Sequence, residues 1–199
     1  KLKFFHFSFF EFEGTKQIIA RSGYSKQDGF EVYLKGFNLG NKLWETIWEA
    51  GKSFNISPGC PNLIDRIEGG LLSYGNEFTL ENNPFECGFD NYCNDLSHDF
   101  IGKNALKKII KYGIDRKIKG VTFDGSPTPP CSIPFPVYSK NRYQIGNITS
   151  GIYSPYLKTN IGISMIDKDY WNNGQDVFVL TPDNIERKGK VCSLPFNHS

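Results

Sequence analysis

The sequence changes character at Arg116, and this change constrains the fold more than any other feature. Short apolar runs follow one another from residue 117 to residue 194, with proline, glycine and asparagine between them and little helical periodicity: KIKGVTF, PFPVYS, QIGNITSGIY, NIGISMI, DVFVL and KGKVCSL. Short strands broken by turn residues are typical of a small β-barrel or sandwich. We therefore predict an all-β unit over residues 116–199, with GSPTPPCSIPFP as a proline-rich surface loop inside it.

The first part of the chain combines strand patterns with helical ones. Residues 4–13 and 16–21 alternate as two strands around a turn at Gly14, and residues 29–35 form a third, which predicts an antiparallel sheet. The fold class is therefore α+β followed by all-β, with a domain boundary near residue 115 and domains at 1–115 and 116–199.

Three helices are predicted in this first part. NKLWETIWEAGKSF places apolar residues on one face, which we expect to face the core: Leu43, Trp44, Ile47, Trp48 and Phe54. A second helix starts after Pro61 and carries Leu63, Ile64, Ile67 and Leu71 inward before Gly75. A third spans Lys103 to Lys111 and is ended by Gly113.

Charge and cysteine usage exclude several classes of function. The net charge of +2 and the absence of a basic stripe argue against nucleic acid, and no apolar run reaches the ~18 residues of a membrane span. Five cysteines without a Cys-x-x-Cys pair indicate a reduced, cytoplasmic setting. None of the three histidines neighbours a cysteine or acid at ligand spacing, so we predict no metal site and no Cys–His nucleophile.

Two local features suggest where a ligand could bind. Glu31 lies between Phe30 and Val32 in a strand, where alternation alone favours a solvated acid that shares a face with Tyr33. Ser73 and Tyr74 follow a glycine pair at the end of a helix, where ordinary capping is the simpler interpretation. The patterns alone identify no catalytic residue.

Five segments in order resemble the glycine-cleavage T-protein (aminomethyltransferase) family over nearly the whole chain. RSGYSKQDGFEVY resembles R-T-G-Y-T-G-E-D-G-F-E, RIEGGLLSYG resembles R-L-E-A-G-L-x-x-Y-G, and NPFECGF resembles N-P-x-E-x-G-L. FIGKNAL resembles F-I-G-K-x-A-L, and ITSGIYSPYLKTNIGISMI resembles the T-S-G-x-x-S-P-x-L segment of the family's C-terminal barrel. The resemblance implies roughly the C-terminal half of such a protein, with an incomplete pocket when alone.

Within the family, several positions resemble the dimethylsulfoniopropionate demethylases. IARSGYSKQ, GCPNLIDRIEGGLLSYGNEF and NNPFECGFD are similar to that branch almost residue by residue, and Asn62 stands where T-proteins carry a folate-contacting arginine. The tyrosine that T-proteins place after the final P-F is absent here. Tyr24 points to the other branch, because T-proteins use tyrosine there and the demethylases resembled here use tryptophan.

The resemblance implies a site as well as a family. Tetrahydrofolate is expected as methyl acceptor, with Glu31 on the pterin edge and Tyr24 and Tyr33 beside it. Ser73 matches a residue near the demethylase substrate, a sulfonium or methylated amine, and Tyr74 is assigned with it although packing explains Tyr74 as well. No metal and no catalytic residue are implied.

Three functions therefore stay open at this point. They are a demethylase, an aminomethyltransferase, and a non-catalytic folate-binding module, whose relatives carry a K-G-C-x-x-G-Q motif that does not occur in this chain. The sequence does not distinguish a monomer from a dimer.

Overall fold

The computed structural model describes residues 1–24, 27–59 and 63–196. Its chain divides into two compact units, residues 1–62 and residues 63–199, and each is described by itself. The first contains a small antiparallel sheet and a helix, and the second contains short helices and a closed barrel. The fold class expected from the sequence is confirmed, and the domain boundary near residue 115 stays a prediction.

The sheet of the first unit consists of β1 (Phe7–Phe12), β2 (Thr15–Ala20) and β3 (Glu31–Tyr33), antiparallel and in that order. Phe12 pairs with Thr15, so the hairpin loop has only two residues. These are Glu13 and Gly14, with φ angles of 49° and 69°. Two positive φ angles define the type I′ turn, whose twist matches that of the flanking strands. The predicted strands and the turn at Gly14 are confirmed, with shorter strand ends.

The helix α1 (Gly40–Gly51) follows a 3₁₀ turn at Phe37–Leu39 and leads into another at Lys52–Phe54. Trp44 stacks on Trp48 with ring centroids 6.2 Å apart. No side chain of α1 is buried, and Trp44 and Phe54 are 59% and 83% exposed. The expectation that this stripe faces a core is wrong for this structure, because a unit of about sixty residues supplies too little apolar surface to cover it.

Three helices precede the barrel in the second unit, α2 (Leu63–Glu68), α3 (Asp90–Cys93) and α4 (Lys103–Tyr112). The predicted helix from Lys103, ended by Gly113, is confirmed, whereas α2 ends well before Leu71. Gly70 has a φ of 64°, its N–H bonds to Ile67 O, and the Leu71 N–H bonds to Arg66 O. This is the Schellman motif that ends helices at a left-handed glycine. The predicted start at Pro61 lies outside the described residues.

The barrel contains six strands, which correspond to the six predicted runs: β4 (Arg116–Phe123), β5 (Phe135–Tyr138), β6 (Gln144–Ser154), β7 (Thr159–Asp167), β8 (Asp176–Leu180) and β9 (Glu186–Cys192). They close in the order β4-β7-β6-β5-β8-β9, and every pair is antiparallel. The barrel interior is filled by alternate apolar residues: Val121, Phe123, Phe135, Val137, Ile145, Ile148, Ile166, Val177, Val179 and Val191.

The short helix α2 is anchored to the outside of this barrel. Ile67 is fully buried in a second apolar cluster with Ile118, Ile161, Ile163 and Phe196. Close packing also surrounds Gly70, where an added Cβ would lie 3.0 Å from the Cβ of Leu194. The loop that leaves α2 therefore starts from a fixed position on the barrel wall.

Candidate functional site

Glu31 lies at the first residue of β3 and is held by two hydroxyl groups. Ser22 Oγ donates a short hydrogen bond to Glu31 Oε2, and Tyr33 OH donates to the same oxygen at 3.4 Å. Tyr33 is two residues further along the strand, so its side chain lies on the same face. The carboxylate is exposed, and an ordered exposed carboxylate can accept hydrogen bonds from a ligand.

The strand register shows what else this face carries. Glu31 pairs with Ala20, which pairs with Phe7, and directly paired residues of antiparallel strands share a face. The neighbouring row is Tyr33, Ile18 and Phe9. We call these six residues the Glu31 face. Phe7, Phe9 and Tyr33 are 63%, 51% and 55% exposed, so the face is aromatic as well as acidic and is open in this unit.

Arg21 holds the connection between β2 and β3 in place through two contacts. Arg21 Nη2 lies 2.9 Å from Asp28 Oδ1, and Arg21 Nη1 donates to the carbonyl oxygen of Leu2 at 3.2 Å. These bonds hold Ser22 near the start of β3. Tyr24 belongs to this connection and is 54% exposed. Ser25 and Lys26 of the predicted polar turn lie outside the described residues.

Ser73 and Tyr74 belong to the second unit, in the loop after α2. The backbone N–H of Ser73 donates to Glu77 Oε2 at 2.6 Å, and Arg66 Nη1 donates to the same oxygen at 3.1 Å. Arg66 also donates to Leu71 O at 2.8 Å and to Ser150 Oγ of β6 at 2.6 Å. This network ties the Ser73 loop to the barrel.

The two hydroxyl side chains of this loop differ in their surroundings. Ser73 is half-buried, and its Oγ makes no hydrogen bond within the described part of the chain, so it is available to a ligand. The ring of Tyr74 packs edge-to-face on Phe78 with centroids 5.6 Å apart, while 62% of the residue is exposed. This ring contact fits the packing interpretation of Tyr74, and a role of Tyr74 at the substrate stays a prediction.

The pairing of Arg66 with Glu77 was not predicted from the sequence. Both are 4% exposed, and Glu77 Oε1 is buried with no hydrogen-bond partner among the described residues. The sequence did indicate that Arg66 has a partner. Arg66 lies among the inward-facing residues of α2, and a buried charge must be paired. Its partner lies eleven positions away and is reached only because the glycine pair reverses the chain.

The structure thus brings Ser22, Glu31 and Tyr33 together in the first unit, and Ser73 and Glu77 together in the second. Over the residues described, no group of three or more His, Cys, Asp and Glu side chains is arranged to hold a metal ion. Asn62, one of the positions at which this sequence departs from the T-protein pattern, lies outside the described residues. No helix within the described ranges is both long and apolar enough to cross a membrane.

Two protein-family models match the chain and together span most of it. The "GCVT N-terminal domain" matches residues 1–95, and the "Glycine cleavage T-protein C-terminal barrel domain" matches residues 116–197. The second match coincides with the six-stranded barrel.

Curated relatives are similar over nine-tenths of this chain. The dimethylsulfoniopropionate demethylase DmdA of Ruegeria pomeroyi is 42% identical over 92% of this chain and 50% of its own length. Aminomethyltransferases of Listeria monocytogenes and Thermoanaerobacter pseudethanolicus are 38% and 36% identical over 92% and 90% of this chain and 49% of their own length. The chain therefore spans about half the length of the curated relatives it matches.

A solved structure has the same fold. The glycine cleavage system aminomethyltransferase T of Bartonella henselae aligns with a TM-score of 0.74 at 23% identity, over 92% of this chain and 50% of that one. At this level of identity the likeness supports the fold alone.

Proposed function

Because this chain belongs to the glycine cleavage T-protein family, we propose that it forms part of a tetrahydrofolate-dependent methyltransferase. The substrate we propose is dimethylsulfoniopropionate. One observation carries this choice: the identity to the dimethylsulfoniopropionate demethylase is 42%, against 36–38% for the aminomethyltransferases named above. The segments of the sequence that resemble the demethylase branch agree with this choice.

Glu31 is the residue proposed to hold the pterin of the folate. A pterin presents a ring N–H beside an exocyclic amino group, two donors side by side, and a carboxylate offers two matching acceptors. Ser22 and Tyr33 already orient Glu31 Oε2, so less orientational freedom is lost when the ligand binds. Tyr24 and Tyr33 would contribute aromatic faces beside the ligand.

The proposed reaction is an in-line transfer of a methyl group. The sulfur–methyl bond of the sulfonium breaks and a bond from the methyl carbon to N5 of tetrahydrofolate forms. The bonding electron pair stays on sulfur, which leaves as a neutral thioether, and the N5 proton is released to solvent. Because the leaving group departs easily, the protein mainly aligns the two reactants and excludes water.

Residues proposed for substrate recognition occur in each unit, and each set is proposed by itself. A sulfonium is attracted to aromatic faces as a quaternary ammonium is, which suits Tyr24 and Tyr33. The hydroxyl of Ser73, which has no partner in the described part of the chain, can donate to the substrate's carboxylate. None of these residues is assigned a proton-transfer role.

A second candidate is an aminomethyltransferase of glycine cleavage. Tyr24 favours it, because T-proteins carry tyrosine at this position. A third candidate, a folate-binding module without catalysis, is favoured by no residue of this chain, which lacks the cysteine motif of such relatives.

We also propose a cytoplasmic location for this protein. Cys87, Cys93, Cys131 and Cys192 are all free thiols, which fits a reducing compartment, and Cys60 lies outside the described residues. The proposed partners are the folate and a small methylated substrate, with neither nucleic acid nor a membrane involved.

The deciding experiment supplies the full-length protein with dimethylsulfoniopropionate and tetrahydrofolate. We expect 5-methyltetrahydrofolate and methylmercaptopropionate to form in equal amounts. Turnover only with the lipoyl-linked glycine-cleavage intermediate would favour the aminomethyltransferase, and folate binding without either turnover would favour the module. Glu31→Ala should weaken folate binding, whereas Glu45→Ala, which removes an exposed carboxylate of α1, should not.

A further inference from the structure

A groove of about 740 Å³ lies on the wall of the barrel, and all its lining residues belong to the second unit. Strand β9 contributes Cys192, the turn between β6 and β7 contributes Leu157, and the segment that precedes β8 contributes Asn173. Ser193 and Pro195, which follow β9, also line it. Small-molecule sites have volumes of about 300–1,000 Å³, so the groove is large enough to hold a ligand.

Asn173 is held in one orientation by the groups on either side of it. Lys119 Nζ donates to Asn173 Oδ1 at 2.8 Å, and Asn173 Nδ2 donates to Ser193 Oγ at 2.7 Å. A lysine ammonium can only donate, so the amide must turn its oxygen to Lys119 and its nitrogen to Ser193. The hydrogen bonds therefore run in one direction, from a cation through an amide to a hydroxyl group.

This direction determines what the groove offers to a ligand. Ser193 Oγ already accepts a hydrogen bond, and its own proton is donated to no group within the described part of the chain. The second N–H of the Asn173 amide likewise has no acceptor among the described residues. Because the amide nitrogen and the hydroxyl oxygen are 2.7 Å apart, two donors lie side by side. A carboxylate presents two acceptor oxygens side by side and therefore matches them.

The charges around the groove favour an anion. Lys190 lines the groove and lies 2.6 Å from Asp176, which Lys140 contacts at 2.9 Å. Because two lysines share one carboxylate, one positive charge remains in excess, in addition to that of Lys119. Burial raises the pKa of the Cys192 thiol to about 11, so this thiol is neutral at physiological pH and does not repel an anion.

We propose that the groove binds a small organic acid, whose carboxylate accepts from Ser193 and Asn173 and whose short apolar chain lies along the groove. Leu157 and Pro195 supply the apolar surface for this chain. Inorganic phosphate carries more charge and has no apolar part, so it matches the groove less well. None of these residues is proposed above to contact the folate or the methylated substrate, and the inference therefore stands apart from the proposed function.

The test measures hexanoate binding to the full-length protein by ligand-observed NMR, at high salt, where remote charges are screened. Ser193→Ala removes one donor and should weaken binding by about two- to tenfold. Asn173→Asp should weaken it by at least about tenfold, because the new carboxylate accepts from both Lys119 and Ser193 and leaves no donor for the ligand. Hexanamide, which has the same chain and no charge, should bind the wild-type protein about fivefold more weakly than hexanoate.

Asn172→Asp is the matched control for the change of charge. Asn172 is the neighbouring residue and is not among the described residues that line the groove. The variant should change hexanoate affinity by less than about twofold. Equal losses in Asn172→Asp and Asn173→Asp would overturn the inference, because the effect would then arise from net charge alone. Ser193 is exposed, so Ser193→Ala decides the question if Asn173→Asp lowers the melting temperature.

The remaining outcomes concern where hexanoate binds and which part of it is recognised. Unchanged affinity in both Ser193→Ala and Asn173→Asp would mean that hexanoate binds elsewhere, and this result or a lack of binding to the wild-type protein would overturn the inference. Affinity should rise from acetate through butyrate to hexanoate, because each added methylene group buries more apolar surface. Equal affinities along this series, or tighter binding of inorganic phosphate, would overturn the proposed class of ligand.

Discussion

Arg66 and Glu77 form an ion pair of 3.1 Å whose two side chains are almost completely buried, and the backbone N–H of Ser73 shares the same carboxylate oxygen. One carboxylate therefore holds both the helix α2 and the loop that carries the proposed substrate residue. Arg66 continues the network to Ser150 in the barrel. A buried ion pair in this way positions the proposed binding loop.

Removing Glu77 should destabilise the protein strongly. Glu77→Ala leaves the guanidinium of Arg66 buried without its counter-ion, a change that costs about 3–5 kcal/mol in the free energy of unfolding. Urea denaturation measures the loss. Glu81→Ala, which removes an exposed acid four residues further on, should change stability by less than about 0.5 kcal/mol. Equal stabilities of the two variants would contradict a structural role for the pair.

Gly70→Ala should be more destabilising than Gly88→Ala, although both glycines have a positive φ. Gly70 and Gly88 have φ angles of 64° and 74°, but an added Cβ meets Leu194 at 3.0 Å only at Gly70 and nothing within 4 Å at Gly88. The backbone term of about 1–2 kcal/mol is common to both variants. Crowding should add about 1 kcal/mol or more to Gly70→Ala, measured by thermal unfolding. A larger loss for Gly88→Ala would contradict this packing.

The barrel was predictable from sequence because its strands are local patterns. Each predicted run between turn residues corresponds to one strand. The two-residue turn at Glu13 and Gly14 is also a local feature and was predictable for the same reason. The end of α2 was misplaced because an apolar residue, Leu71, lies at helical spacing beyond Gly70. The left-handed glycine ended the helix, and the apolar spacing did not extend it.

The site was predictable only in part, since the relevant relationships are not local. Alternation placed Glu31 and Tyr33 on one face, as the structure shows, but only the register across three strands adds Ala20 and Phe7 to it. The pairing of Arg66 with Glu77 likewise depends on how the chain reverses after α2. The roles of Tyr24 and Ser73 came from family resemblance and stay predictions.

Acid should weaken the barrel through Asp176. Hydrogen bonds from Lys190 at 2.6 Å and Lys140 at 2.9 Å lower the pKa of this carboxyl group from 3.8 to about 2. Because the folded-state pKa lies below that of the unfolded chain, the stabilisation is present above about pH 4 and is lost as the pH falls towards 2. Asp176→Asn should therefore flatten the dependence of unfolding free energy on pH between these values.

The lysine partners provide the control for this pH dependence. The double variant Lys140→Met/Lys190→Met should show the same flattened pH dependence. High salt should reduce the pH dependence of the unmodified protein, because the charged groups are exposed and are screened by salt. An unchanged slope in Asp176→Asn would show that the acid sensitivity arises from other carboxyl groups.

Ser22→Ala should weaken folate binding through Glu31. Ser22 Oγ donates to Glu31 Oε2, and without it the bond that remains to this oxygen among the described residues is the longer one from Tyr33. One hydrogen bond to a positioned carboxylate contributes about 0.5–1.5 kcal/mol, so tetrahydrofolate affinity should fall about two- to twelvefold. Ser8→Ala, on the opposite face of β1, should leave the affinity unchanged. In the double variant with Glu31→Ala, the loss of Ser22 should add nothing, because Ser22 acts only through the carboxylate. Independent, additive losses would instead mean that Ser22 contacts the ligand itself.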